Sequence, residues 1–340
     1  MSGGRDRLDA LMARGCAFLG TRYAIMAGAM TWVSERSLVS AISNAGGFGM
    51  IACGAMDPAR LREEIVATRA LTEKPFGVNL ITMHPALLDL IRVCAEEKVG
   101  HIALAGGIPS GPAIEAVKAA GAELNRLAPA LAVPKKVGPS GGDAPVIEGT
   151  EAGGHIGPVS TTVLAQEILP HITDVPVFVA GGIGHGEAIA AFLEMGAAGV
   201  QLGTRFVCAT ECIAHPAFKQ AMIRGNARDA MPTVQLDETF PVIPVRALQN
   251  RGTKRFLEHQ AETIRRYRAG ELDKEAAQLD IEQFLEPRLD CFGQPSRDDN
   301  TQTFPGHGRA SFAFVFGPWL AKWQRRTRGT RTPRRQRARR

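Results

Sequence analysis

The chain has 340 residues, of which 45% are hydrophobic and 22% charged, which fits one large or two ordinary globular domains and excludes a fibrous or wholly disordered class. No apolar run reaches the roughly 20 residues that a membrane-spanning helix needs, and the N-terminus carries no signal-peptide pattern. The net charge of +6 is concentrated at one end: ten Lys or Arg and no acid lie between Lys322 and Arg340, which leaves −4 for residues 1–321. That tail offers nonspecific phosphate contacts at most, because it has no interleaved aromatics and no recognition motif. Six cysteines, Cys16, Cys53, Cys94, Cys208, Cys212 and Cys291, are scattered without a CxxC pair. They suggest a reducing, cytoplasmic setting and no disulfide framework.

Eight short apolar segments read as strands in chain order: Tyr23–Gly28, Gly47–Gly54, Pro75–Leu80, Gly100–Gly106, a weak one at Ala122–Pro129, Ala144–Gly149, Val175–Gly182 and Ala198–Thr204. Helical periodicity fills the stretches between them, as in "PARLREEIVATRALT" and "HGEAIAAFLEMGA". The phrase helix, glycine, apolar strand occurs at "SNAGGFGMI" and again at "EMGAAGVQLG". Alternating strands and helices imply a parallel sheet with right-handed crossovers. Eight such units point to a (β/α)8 barrel, whose active site lies at the C-terminal strand ends. A doubly wound sheet would place its phosphate glycines after the first strand. Here the strongest glycine signals follow the last three.

The strand ends supply the candidate site. Met26, Ala27 and Gly28 end the first strand, and Asn79 ends the third. "EGTEAGGHIG" follows the sixth with one histidine, His155, among four glycines that include Gly153 and Gly154. Gly181 and Gly182 end the seventh strand, and Gly203 and Thr204 the eighth. Backbone N–H groups at those last two ends form an anion site of the kind barrels use for phosphate. Glycine, methionine and amide side chains suit a flat aromatic cofactor with a phosphate tail, such as FMN. His84, His185 and His215 stand beside prolines or helix starts and read as caps or surface groups.

"EGTEAGGHIG", "PVFVAGGIGHGEAIAAFLEMGAAGVQLGTRF" and "KPFGVNL" together resemble the nitronate monooxygenase (2-nitropropane dioxygenase) family, with flavin-dependent enoyl-ACP reductases as a close branch. The likeness runs from about Tyr23 to Phe284, and "MTWV" at Met30–Val33 resembles the reductase branch. The resemblance implies a TIM barrel with bound FMN and a small helical domain over the site. It places the phosphate binders on Gly181, Gly182, Gly203 and Thr204, the flavin-contacting asparagine on Asn79, and the catalytic histidine on His155. The implied substrate is a small molecule, a nitronate or an enoyl thioester, with O2 or NAD(P)H as co-substrate. No metal or membrane is implied, and a homodimer is the one further assembly expected.

The expected domains are a barrel over 1–217, a helical covering domain over 218–284 and an atypical, disordered basic tail over 285–340. Two regions depart from the family pattern. Pro134, Pro139 and Pro145 interrupt the stretch around the sixth strand, and residues after Phe284 lose any helical period. Divergence and an altered reading frame are both consistent with these departures. Deletion of residues 322–340 is expected to leave flavin content and turnover unchanged. A large loss of either on truncation would show that the tail docks on the barrel.

Overall fold

The computed structural model describes residues 2–54, 56–107, 109–128, 144–242 and 244–285. The proline-rich stretch at 129–143 and the basic tail lie outside these residues, as does Cys291. In chain order come α1 (Ser2–Leu19), β1 (Ile25–Ala27), α2 (Arg36–Asn44), β2 (Gly49–Ala52), α3 (Pro58–Leu71) and β3 (Phe76–Ile81). These are followed by α4 (Leu87–Glu96), β4 (His101–Ala105), α5 (Gly111–Ala119), β5 (Glu123–Ala128), β6 (Ala144–Glu148), β7 (Gly154–His155) and α6 (Thr161–Ile168). Then come β8 (Phe178–Ala180), α7 (Gly186–Glu194), β9 (Gly199–Leu202), α8 (Thr204–Val207), α9 (Pro216–Arg224), β10 (Ala230–Pro232), β11 (Val245–Leu248), α10 (Arg251–Arg268) and α11 (Lys274–Leu285).

The eight parallel strands run in the order β1-β9-β8-β6-β5-β4-β3-β2. A parallel bridge between Met26 and Phe48 joins the two ends of that order and closes the barrel. All eight expected strands are present, each inside its expected run except β3, which extends past Leu80 to Ile81. The weak fifth one pairs with both β4 and β6 although it contains Asn125 and Arg126. Backbone pairing on both sides outweighs the poor strand preference of those two residues.

Local signals explain the elements. Asp57 caps α3 by accepting from the Arg60 N–H at 2.8 Å, and Pro58 stands at the first helical position, where its missing N–H costs nothing. Gly46 and Gly196, at φ +92° and +106°, stop α2 and α7 in the left-handed conformation and turn the chain into β2 and β9. The repeated helix–glycine–strand phrase is therefore this turn.

Helix α1, absent from the sequence expectations, seals the N-terminal end of the barrel. Its Met12 and Leu19 join the interior cluster of Met26, Phe48, Met50, Val146 and Phe178. The Phe18 ring stands edge-on to His101 at 5.1 Å, and Phe48 meets the same imidazole at 4.9 Å. Gly15 lets the helix approach closely, since a Cβ there would lie 2.2 Å from the Ala198 carbonyl oxygen. Each large side chain buried on this floor contributes about 2 kcal/mol. A second apolar layer separates the outer sheet face from the helices, with Ile65, Leu90 and Val117 on one side and Leu164, Ile168 and Phe192 on the other. Among the described residues no helix is long and apolar enough to cross a membrane.

Residues after β9 form the remaining helices and a small sheet, with Val207 and Met222 packed beside Ala27 and Leu38. Helix α9 spans the expected boundary at 217, and α10 and α11 pack through Phe256, Ile264, Ala277 and Ile281 around Phe240. This part of the chain also contains strands. Antiparallel β10 and β11 form a three-stranded sheet with β7, which belongs to the loop after β6.

Glu64 on α3 is buried, and Arg36 at the start of α2 meets it with a side-chain N–O distance of 2.5 Å and a backbone N–H at 2.6 Å. Burial pushes the Glu64 carboxyl up, but the hydrogen bonds and charge of Arg36 outweigh that and hold it below the usual carboxylate range. The stabilisation is therefore present at neutral pH and lost as pH falls through the depressed value. Arg36→Ala strands this buried carboxylate and should cost about 3 kcal/mol in urea denaturation at pH 7. An unchanged midpoint would show that Arg60, 3.7 Å away, substitutes for it.

Candidate active site at the C-terminal mouth of the barrel

The strand order brings three of the expected glycine turns side by side, because β1, β9 and β8 are consecutive neighbours. The Gly28 N–H donates to the Leu202 carbonyl at 2.8 Å, so the pairing continues up to the rim. Gly181 and Gly182 follow β8 with φ of +104° and +70°. Gly181 also leaves no room for a side chain. A Cβ there would lie 2.9 Å from Thr161 Oγ1 and 3.0 Å from the Ala152 N. This glycine is thus required both by its backbone angle and by the loop packed against it.

Thr204 is the sharpest feature of the rim. The residue is buried, and its hydroxyl has no hydrogen-bond partner in the described structure. A buried hydroxyl without a partner costs free energy, so it signals a missing acceptor. A phosphate oxygen is such an acceptor, and the adjacent turns at Gly181–Gly182 and Gly203 supply backbone N–H groups of the kind that bind one. The residues present therefore fit the phosphate end of a flavin.

The first-strand residues divide. Gly28 stands at the rim, and a Cβ on it would lie 3.6 Å from Gln201 Nε2. Met26 is fully buried in the interior cluster, and Ala27 faces outward into the layer that holds Leu38 and Val207. Asn79 is half-buried on β3, opposite Ala52 and Ala103 in register, and its carbonyl accepts from the Cys53 N–H at 3.1 Å. Its neighbours Val78 and Leu80 belong to the outer layer, so alternation turns Asn79 inward.

The same alternation shows two inward residues that the sequence reading missed. Val200 and Leu202 pack outward, which leaves Gln201 inside, and Ile147 packs outward between inward Val146 and Glu148. Burial without a compensating charge pushes the Glu148 carboxyl up to about 8. Strand parity was the signal available for both, but parity assigns a face only once the barrel register is known.

The segment Gly149–Ser160 is not a free loop. Glu151 accepts from the Thr161 N–H at 2.7 Å and from its hydroxyl at 3.0 Å, which caps α6 and pins the loop to it. Gly154 takes φ +77° and leads into β7, where Gly154 pairs with Arg246 and His155 with Val245. Arg246 clamps the two parts together, with Nε donating to the Thr150 carbonyl at 2.7 Å and Nη1 to the Ala230 carbonyl at 2.6 Å. Gly153 precedes this pairing. Backbone geometry therefore carries His155 from the barrel loop onto the edge of the three-stranded sheet.

The remaining histidines do what their positions suggest. His84 Nδ1 accepts from the Ala86 N–H at 3.1 Å, and His215 Nδ1 accepts from the Ala217 N–H at 3.2 Å at the start of α9. His185 stands at the N-cap position of α7 with Nδ1 at 2.7 Å from Glu187. The thiols of Cys53 and Cys94 are pushed up to about 12 by burial, which removes them as nucleophiles. On the loop after β1, Trp32 has φ +64°, unusual for a bulky residue, inside a turn held by the Val33 N–H to the Met30 carbonyl at 2.9 Å.

Thr204→Val keeps the shape and removes the unpartnered hydroxyl. Thermal stability without cofactor should stay level or rise, while flavin affinity falls about 5- to 10-fold, the loss of one hydrogen bond. Titration of the cofactor by fluorescence quenching measures this. Unchanged affinity would show that the hydroxyl does not face the phosphate.

Comparison with known proteins agrees with this geometry. The family profile for nitronate monooxygenase matches residues 13–283. A 5-hydroxy-7a-methyl-1-oxo-octahydro-1H-indene-4-carboxyl-CoA dehydrogenase of Rhodococcus jostii is 33% identical over 258 residues, covering 74% of this chain and 72% of the relative. A nitronate monooxygenase of Paraburkholderia phytofirmans is 32% identical over 256 residues, covering 62% and 70%. Among solved structures, FabK from Thermotoga maritima superposes with a TM-score of 0.68 at 33% identity, over 80% of this chain and 93% of that one. The chain is an oxidoreductase with a flavin-type barrel, and it belongs to the nitronate monooxygenase family.

Proposed function

We propose that the chain is an FMN-dependent oxidoreductase that oxidises alkyl nitronates with O2. The observation that carries the cofactor is the unpartnered Thr204 hydroxyl beside the positive-φ turn at Gly181–Gly182. Gly203 and Gly28 complete the rim on the same side, and Asn79 is assigned to the ring edge. Gly153 and Gly154 allow close backbone approach to the ring. The family match and the Paraburkholderia relative support the nitronate substrate. When bound, the flavin supplies the electron acceptor for the substrate and the electron donor for oxygen. The chain's own residues bind, orient and move protons. His155 is assigned as the base that takes the proton from the carbon bearing nitrogen when a neutral nitroalkane enters. The strands and helices of residues 218–284 are assigned to covering the substrate.

A second reading has its own support. The Rhodococcus relative is named for a carboxyl-CoA substrate, and "MTWV" resembles the enoyl-ACP reductases. In that reading an acyl thioester takes the place of the nitronate and NAD(P)H that of oxygen. The two substrate classes share one feature: a carbon beside a group that can hold an electron pair, nitro in one and thioester carbonyl in the other. The same histidine can serve either proton.

Anaerobic titration of the bound flavin with a nitronate, then with NADH and NADPH, separates the two readings. Bleaching of the flavin band by nitronate alone supports the first; bleaching by pyridine nucleotide alone overturns it. His155→Ala should retain FMN and lose about 10²–10⁴ in turnover on neutral nitroalkanes. Pre-formed nitronates need no deprotonation and should lose far less. Equal losses on both would show that His155 positions the substrate instead.

A further inference from the structure

Helix α6 does not use the cap that its own sequence offers. Ser160 occupies the N-cap position with extended backbone, yet its side chain makes no capping bond. The N–H of Thr161, the first residue of the helix, donates instead to Glu151 Oε2 at 2.7 Å, ten residues back along the chain. A serine at the N-cap ordinarily satisfies one of the free N–H groups of the first turn. Here the loop after β6 takes over that task with a carboxylate, whose charge the positive end of the helix favours.

The same carboxylate oxygen collects three donors. Besides the Thr161 N–H it accepts from the Thr161 hydroxyl at 3.0 Å and from the Thr150 hydroxyl at 3.2 Å. Thr161 is buried, and its hydroxyl also lies 3.3 Å from the carbonyl of Ala180, the last residue of β8. The loop then lies on the turn that follows. A Cβ on Gly182 would stand 3.0 Å from Glu151 Cβ and 3.5 Å from its Cγ, and one on Gly181 would stand 3.0 Å from the Ala152 N. The neck of the loop is closed by the Thr150 N–H donating to the Val159 carbonyl at 2.9 Å. Glu151 therefore joins three parts at one point: the start of α6, the end of β8 and the turn at Gly181–Gly182.

His155 stands four residues further on, a stretch that reaches at most about 14 Å. Its far end is fixed by the pairing of Gly154 and His155 with β11. Between the anchor and the histidine lie Ala152, Gly153 and Gly154. Two glycines and an alanine have little preference for a conformation of their own, so the path is set by what holds its two ends. We propose that Glu151 is a positioning residue for His155: its carboxylate fixes the loop against α6 and the Gly181–Gly182 turn, and thereby sets where the histidine stands. The proposal rests on the reading of His155 as the base. In this role Glu151 acts through the loop and not on the substrate. What it sets is a distance, so its reach matters more than its charge.

The test is a double-mutant cycle between Glu151→Ala and His155→Ala, read as kcat and KM on a neutral nitroalkane with O2, in full-length protein saturated with FMN. Misplacing a reacting group by about 1 Å costs on the order of 10²-fold, so Glu151→Ala should lower kcat by about that factor and leave KM within about threefold. In the His155→Ala background the same substitution should lower kcat by less than about threefold, because no base remains to be misplaced. Glu151→Gln keeps an acceptor at the same reach and should retain turnover within about threefold, whereas Glu151→Asp keeps the charge on a shorter arm and should lose about tenfold. Equal losses from Glu151→Ala with and without His155 overturn the proposal, as does an unchanged kcat in Glu151→Ala. Full turnover in Glu151→Asp with a loss in Glu151→Gln overturns it too, since charge would then be what counts. If circular dichroism shows that Glu151→Ala does not fold, Glu151→Asp takes its place in the cycle, with the same non-additivity expected. Full nitroalkane turnover in His155→Ala alone, or none in wild type, overturns the reading of the histidine itself, and this proposal with it.

Discussion

Closure of the sheet between its first and last strands is the constraint on which the rest depends. Ile25, Met26 and Ala27 pair with Val200, Gln201 and Leu202, so residues about 175 positions apart form one ladder. Until that ladder exists, Gly28 has no Leu202 carbonyl to donate to, and the turn after β9 has no neighbour on one side. Helix α1 adds to the same junction: Gly15 packs on Ala198, and Arg14 donates to the carbonyls of Thr173 and Gly196. The floor and the rim are thus set by one long-range contact. A ligand that needs both turns binds only the closed barrel, and by mass action it must stabilise closure.

Chemistry and packing compete for the same residues at the rim, and the glycines show the competition. Gly181 satisfies a positive φ and a close loop at once, so no single requirement explains it. Thr204 is different. Packing alone would favour valine there, because a buried hydroxyl without a partner is a cost. Retention of the hydroxyl is therefore better evidence for a ligand than the glycines are, even though the glycines are more conspicuous in the sequence.

Much of the fold was legible because parallel strands buried on both faces read as continuous apolar runs. "VPVFVAGG" and "AGVQLGT" are such runs, and their ends gave the glycine turns of the rim. Helix α1 escaped because its apolar residues form no clear stripe, and its role depends on a barrel floor that no local pattern shows. Strands β7, β10 and β11 span two to four residues each, too short to carry a period, and β7 exists only through its pairing of Gly154 and His155 with the distant Arg246 and Val245 of β11. At the site, the glycines and Thr204 were readable as strand ends, whereas Met26 and Ala27 point into the core and the outer layer. Glu148 stood inside the conspicuous motif yet carried no visible role, because its meaning lies in the parity of β6 within a closed barrel.

The clamp formed by Arg246 has a consequence for motion. His155 occupies a strand whose partner is β11, while Glu151 on the same loop is anchored to Thr161 at the start of α6. The histidine backbone is therefore shared property of two bodies. Any displacement of β11 that admits a substrate must stretch or break the pairing at Gly154–His155 and shift the histidine with it. Under the role proposed for His155, access and alignment then become opposite ends of one movement: the position that opens the mouth is the position in which the histidine is out of register. Under that same proposed role, turnover is gated by return of the strand, so a substrate too bulky to let β11 settle would bind without reacting.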